Sequence, residues 1–156
     1  MKKLKYIFLF LVINFGALAI GTLLMNNGPQ TDWYTQLNKA PWTPPGWAFG
    51  VAWTSIMICF SFYMTYLFLA EPSTRVKILF TVQFILNVSW NYVFFNKHFI
   101  GFGLLIILAL TAIVATLLFT FRKHLPLKSF LILPYFLWLL IKRNWILFLI
   151  RLINYE

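Results

Sequence analysis

Five apolar runs, each about as long as a bilayer is deep, dominate this sequence: residues 6–25, 48–69, 76–95, 99–121 and 129–153. A twenty-residue helix rises about 30 Å, the thickness of the hydrocarbon core. Backbone polar groups in lipid must be satisfied internally, and runs of this length without strand alternation achieve that as helices. The predicted fold is therefore an all-α integral membrane protein: one domain over residues 1–156, a five-transmembrane-helix bundle, with residues 26–47 as a long loop above it. Composition agrees, since 62% of the 156 residues are hydrophobic and 10% charged, against about 25% charged in a soluble domain. So few polar groups cannot cover a soluble globule.

The first run has a second reading. Lys2, Lys3 and Lys5 before an apolar stretch with Ala17-Leu18-Ala19 resemble a cleavable signal peptide. The stretch continues to Met25, however, and Asn14, Ala17 and Gly21 share one helical face, with small residues four apart as close packing in lipid favours.

A net charge of +10 would suit nucleic acid, but the basic residues sit at the ends of apolar runs rather than on one face, so no nucleic-acid partner is expected. Lys2, Lys3, Lys5, Arg75, Lys77, Arg122, Lys123 and Lys128 fall on one side of the membrane, and Lys39, Lys97 and Arg151 on the other. The positive-inside rule then puts the N-terminus in the cytoplasm and the C-terminus outside, with a bacterial inner membrane as the expected setting. Cys59 is the sole cysteine and precludes an intrachain disulfide.

Connections other than 26–47 are short, which predicts that sequential helices are antiparallel neighbours. The long loop holds Trp33, Tyr34, Trp42 and Trp47, with prolines at 41, 44 and 45 that keep the backbone extended until the second span. Such a stiff aromatic segment suits a lid, and equally an interfacial aromatic girdle.

On the third span Gln83, Asn87, Trp90 and Asn91 form one stripe at i, i+4, i+7 and i+8. Amides avoid lipid, so the stripe faces the bundle, either to line a cavity or merely to bond neighbouring helices. On the fifth, Pro134 is placed to kink the helix, and Tyr135, Trp138, Lys142 and Trp145 share a face. Trp53, Asn87, Trp90 and Trp138 can then surround one aromatic cavity, which suits a flat ligand better than an ion. Lys142 has two readings: it enters that cavity to pair with a ligand carboxylate, or it snorkels with Arg143 to an interface.

No metal site, acidic pair, phosphate loop or Ser-His-Asp grouping is evident, and Asp32, Glu71 and Glu156 lie in loops or at the terminus. His98 and His124 fall on opposite sides of the membrane and cannot bracket one haem iron. The cholesterol-contact pattern Val88-x3-Tyr92-x4-Lys97 is too common by chance to carry weight.

Taken together, Trp33-Tyr34-x2-Leu37-x-Lys39-x-Pro41-Trp42-x-Pro44-Pro45-x-Trp47-x-Phe49-Gly50-x2-Trp53-Thr54, then Gln83-x3-Asn87-x2-Trp90-x3-Phe94-Phe95, then Pro134-Tyr135-x2-Trp138, resemble the tryptophan-rich sensory protein or translocator protein family, also called the peripheral benzodiazepine receptor family. The resemblance implies a five-helix bundle, commonly a homodimer, whose cavity is closed by the first loop. It also implies binding of tetrapyrroles such as protoporphyrin IX, as ligand rather than resident cofactor. Sterol-like, isoquinoline-carboxamide and benzodiazepine-type ligands are implied by eukaryotic relatives. Carried over by motif, Tyr34, Trp53, Asn87 and Trp138 are ligand contacts, with Pro41, Gln83, Trp90 and Tyr135 as further wall. Trp53 and Trp138 match tryptophans implicated in light-dependent porphyrin degradation.

The chain departs from the family pattern after Trp138, where Leu139 to Asn144 replaces the usual small and polar residues. A different ligand range is expected there. Three function classes follow: a ligand-binding sensor, a photochemical enzyme, and a transporter of tetrapyrroles or sterol-like lipids. The lack of internal repeats and of paired buried charges argues against the last.

Overall fold

The computed structural model describes residues 1–37 and 39–153. Asn38 in the loop motif and Glu156 lie outside the described residues. Helices α1 (Lys2–Met25), α3 (Gly46–Ala70), α4 (Thr74–Asn91), α5 (Ile100–Phe121) and α6 (Leu133–Ile153) are the long elements, and α2 (Asp32–Gln36) is a short helix within the first loop. Five helices are long and apolar enough to cross a membrane, the third of these reaching Asn96. With no strand among the described residues, the chain is a multi-pass integral membrane bundle.

Local sequence explains where these helices start and stop. Asn26 and Asn27 take left-handed conformations (φ 49° and 58°) and end α1, as asparagine does more readily than other side-chain-bearing residues. Thr31 Oγ1 accepts from the Tyr34 amide at 3.4 Å and starts α2, and Ser73 Oγ accepts from the Val76 amide at 3.3 Å at the start of α4. Helix α4 runs into a π turn, Tyr92–Asn96, a form of helix common near functional sites.

Two expectations for the fifth span need correction. Residues 128–131 form a 3₁₀ turn, so α6 starts at Leu133 rather than at 129. Pro134 is thus the second residue of α6 and removes no helical hydrogen bond, since the first amides of a helix have no partner to lose. It shapes an entry, not a kink.

The five long helices close into a ring in the order α1, α3, α6, α5, α4. Helices α3 and α4, joined by three residues, are therefore not flanking neighbours, contrary to the expectation from short connections. The long first loop instead joins two adjacent helices, α1 and α3, and has length to spare for covering the ring.

One end of the ring is filled. Phe60, Tyr63, Met64 and Leu67 of α3 and Val76 of α4 are fully buried, and Phe60 packs edge-on against Tyr135 at 5.2 Å between ring centroids. Two hydrogen bonds cross this part of the bundle: Asn14 Nδ2 donates to Ser61 Oγ at 2.8 Å, and Tyr63 Oη donates to the Leu117 carbonyl at 2.6 Å. Interhelical bonds of this kind contribute about 0.6 kcal/mol each in lipid. Asn14, Ala17 and Gly21 are all buried on the inner face of α1. A Cβ on Gly21 would fall 2.5 Å from Asn91 Nδ2, so the end of the Asn91 side chain occupies the space that glycine leaves on α1.

Lys3, Lys128 and His124 lie at this filled end. The ammonium groups of Lys3 and Lys128 lie 4.7 and 4.0 Å from the Tyr66 ring centroid, and His124 lies 3.9 Å from Glu71.

Candidate functional site: an aromatic chamber under the first loop

The other end of the ring is hollow. A cavity of about 670 Å³ lies there, in the range of roughly 300–1,000 Å³ typical of small-molecule sites. The C-terminal half of α1, the N-terminal half of α3, the C-terminal part of α4 and the middle of α6 wall it, and the first loop roofs it.

Of the residues expected around such a site, Tyr34, Trp53, Asn87, Trp90, Trp138 and Lys142 line this one void. Trp90 is stacked on Phe94 at 4.9 Å, and Trp138 meets Phe49 edge-on at 5.4 Å. The indole nitrogens of Trp90 and Trp138 are buried without a hydrogen-bond partner. A buried N–H left unpaired costs about 1–3 kcal/mol, and both belong to cavity-lining side chains.

Three expected wall residues do not reach the cavity. Pro41 is exposed on the loop, and Pro44 and Pro45 border the void instead. Gln83 and Tyr135 are spent on each other, with Gln83 Nε2 donating to Tyr135 Oη at 2.8 Å. Tyr135 stands behind Trp53, edge to face at 5.9 Å, and supports the wall rather than forming it. The other amide atom of Gln83, Oε1, is buried and unpaired.

Lys142 is 5% exposed, which removes the snorkelling alternative. Its ammonium sits 3.3 Å from the Trp90 ring centroid and 4.9 Å from that of Trp53. Cation–π attraction contributes up to about 2 kcal/mol when desolvated, and so offsets part of the roughly 2.5–3.5 kcal/mol cost of a lysine at mid-span. Arg143, next in sequence, is only half-buried and donates to Asn144 Oδ1 at 3.2 Å.

The roof is pinned by aromatic contacts. Tyr34 on α2 packs on Phe95 and Trp145, at 5.3 and 6.2 Å, and its burial raises the phenol pKa. Trp33 stacks on His98 at 4.0 Å, Trp42 meets Phe148 edge-on at 5.2 Å, and Trp145 Nε1 donates to Thr43 Oγ1 at 2.9 Å. Gly28 is buried under the roof, where a Cβ would collide with Phe95. The loop is an ordered cover anchored to α4 and α6.

Several cavity residues were not among those expected: Lys39, Phe49, Asn91, Phe95 and Trp145. Asn91 and Trp145 carried a signal, since each continues a face already identified by helical spacing. Lys39 and Phe95 carried none of that kind, as one lies in irregular loop and the other in a π turn. His98 and His124 lie at opposite ends of the bundle, and no cluster of metal-binding side chains occurs among the described residues.

Residues 8–144 match the model of the TspO/MBR family. The chain belongs to that family. It is 30% identical over 141 residues to the tryptophan-rich protein TspO of Bacillus cereus, covering 88% of this chain and 89% of that one. It is 34% identical over 123 residues to the tryptophan-rich protein TspO of Archaeoglobus fulgidus, covering 77% and 78%. To the human translocator protein it is 27% identical over 118 residues, covering 72% and 70%. Within this TspO/MBR chain, the motif residues Tyr34, Trp53, Asn87 and Trp138 come from four separate elements and border a single void.

Proposed function

We propose that this chain binds porphyrins, protoporphyrin IX among them, and related flat hydrophobic molecules in the chamber beneath the first loop. One observation carries the reading: Trp53, Trp90, Trp138 and Trp145, drawn from three helices, border the same void. Indole faces stack on a planar ring. Asn87, also on the wall, adds an amide. A metal-free ring needs no axial ligand, so the remoteness of both histidines is no obstacle. Sterol-like and isoquinoline-carboxamide guests would use the same apolar walls.

A ring held here is bordered by two oxidisable indoles, Trp53 and Trp138. We extend the proposal to light-dependent degradation of the bound porphyrin, in which dioxygen excited by the illuminated ring adds both its atoms across one carbon–carbon double bond of the macrocycle and cleaves it to two carbonyls, with Trp53 and Trp138 holding the ring in position. By the positive-inside rule, the end bearing Lys3 and Lys128 faces the cytoplasm, and the roofed chamber faces the opposite side.

Titrating the purified protein with protoporphyrin IX tests the binding. Saturable quenching of tryptophan fluorescence at one guest per chain is the expected result, and a linear response typical of partitioning into detergent contradicts it. Illumination of the complex tests the chemistry. Bleaching slows in the Trp53→Phe, Trp138→Phe double variant, and equal bleaching in both proteins rejects a role for the two indoles.

A further inference from the structure

We propose that Lys142 is an anion anchor that holds a carboxylate carried by the planar guest, so that the chamber selects flat acids over their neutral counterparts. The inference rests on the chamber being the binding site, and deepens that reading by naming the chemical class it takes.

The charge distribution around the void is one-sided. Two cations, Lys39 and Lys142, line it, and neither an aspartate nor a glutamate does. Of the described acids, Asp32 is exposed at the start of α2 and Glu71 stands at the far end of the bundle beside His124. Lys142 lies near the midpoint of α6, buried, with no salt bridge or hydrogen bond among the described residues. The rings of Trp90 and Trp53 attract its charge but offer no oxygen to its three N–H donors. A cation in this state gains most from an anionic oxygen delivered into the void, and gains little from a neutral guest. The unpaired indole N–H groups of Trp90 and Trp138 are buried within the wall and do not compete for an anion in the void. Arg143 stands outside the void and donates from Nη2 to Asn144 Oδ1, although its Nε–H is buried without a partner.

Protoporphyrin IX and its dimethyl ester, titrated into the purified full-length protein in phosphatidylcholine nanodiscs, test the proposal. Wild type is expected to bind the free acid at least about tenfold more tightly than the ester, the scale of one charge-assisted hydrogen bond. Lys142→Met is expected to bring that ratio close to one by weakening the acid alone, while Lys142→Arg keeps most of it. Unchanged ester binding in the methionine variant shows that its chamber is intact. An acid-to-ester ratio that is the same in wild type and Lys142→Met overturns the anchor and leaves the chamber reading standing. Failure of wild type to bind either compound overturns both. If phosphatidylglycerol competes with the acid in wild type and not in Lys142→Met, the anion belongs to a lipid headgroup and the planar acid is the wrong class.

Discussion

The two ends of this bundle are built from the same helices and differ in what fills them. At the basic end, Phe60, Tyr63, Met64 and Leu67 interlock, and Asn14 and Tyr63 are hydrogen-bonded across the bundle. At the roofed end the side chains are as bulky, yet they stand around a void of about 670 Å³, with two indole N–H groups and one ammonium lacking an oxygen partner. Size alone therefore does not decide whether a helix bundle packs solid. Rigid indoles held by neighbouring rings, as Trp53 is from behind by Tyr135 and Trp138 is along the wall by Phe49, leave space that flexible Met and Leu side chains would close. Stability is expected to reside at one end and recognition at the other.

Substitutions split along that line. The largest effect belongs to Phe60→Ala, which empties a fully buried site and is expected to cost about 3–5 kcal/mol, read as a lowered thermal midpoint in detergent. Trp138→Ala, by contrast, enlarges a space that already exists at a half-buried position and is expected to lower the midpoint less than Phe60→Ala does, while weakening porphyrin binding at least about tenfold. Equal destabilisation by the two would erase the distinction between the ends.

The next effect concerns the roof. Gly28→Ala places a methyl group on Phe95, at an expected cost of about 1–3 kcal/mol. Limited proteolysis should then cut residues 26–45 faster, with the helices left intact. Loss of the whole bundle instead would show that roof and ring are one unit. Trp145→Phe keeps the ring and removes the 2.9 Å bond to Thr43, an expected loss of about 1 kcal/mol. Faster amide exchange confined to the roof would report it.

The smallest effect is that of pH. Burial raises the pKa of Tyr34, so its neutral form favours the closed roof. That contribution is complete below the unfolded value of about 10 and is lost as pH rises through the higher folded value. Quencher access to Trp33 is expected to increase in that alkaline window in wild type, and to change less in Tyr34→Phe.

Much of this was legible in the residues. Apolar run length fixed the number of spans, and helical spacing put Asn87 and Trp90 on one inward face. Helix order was not legible, because a short connection permits a crossing over the ring as well as a side-by-side return; α3 and α4 take the first course. Pro41 and Gln83 misled for different reasons. Residues in irregular loop have no period from which to infer a facing direction, so Pro41 points out and Pro44 in. Gln83 continues the inward stripe correctly, but one α-helical turn corresponds to about 5.4 Å along the axis, enough to put it below the chamber floor and in reach of Tyr135. Spacing gives the face of a helix and is silent on depth. For Lys142, cost arguments favoured the interface; only the positions of the Trp53 and Trp90 rings reveal why a cation is tolerated at mid-span.

The most direct test of the account is a structure of the protein determined with protoporphyrin IX. Density for the ring is expected beneath the first loop, bordered by Trp53 and Trp138, with a propionate toward Lys142. Porphyrin density on the lipid-facing surface, with the chamber collapsed or empty, would contradict it.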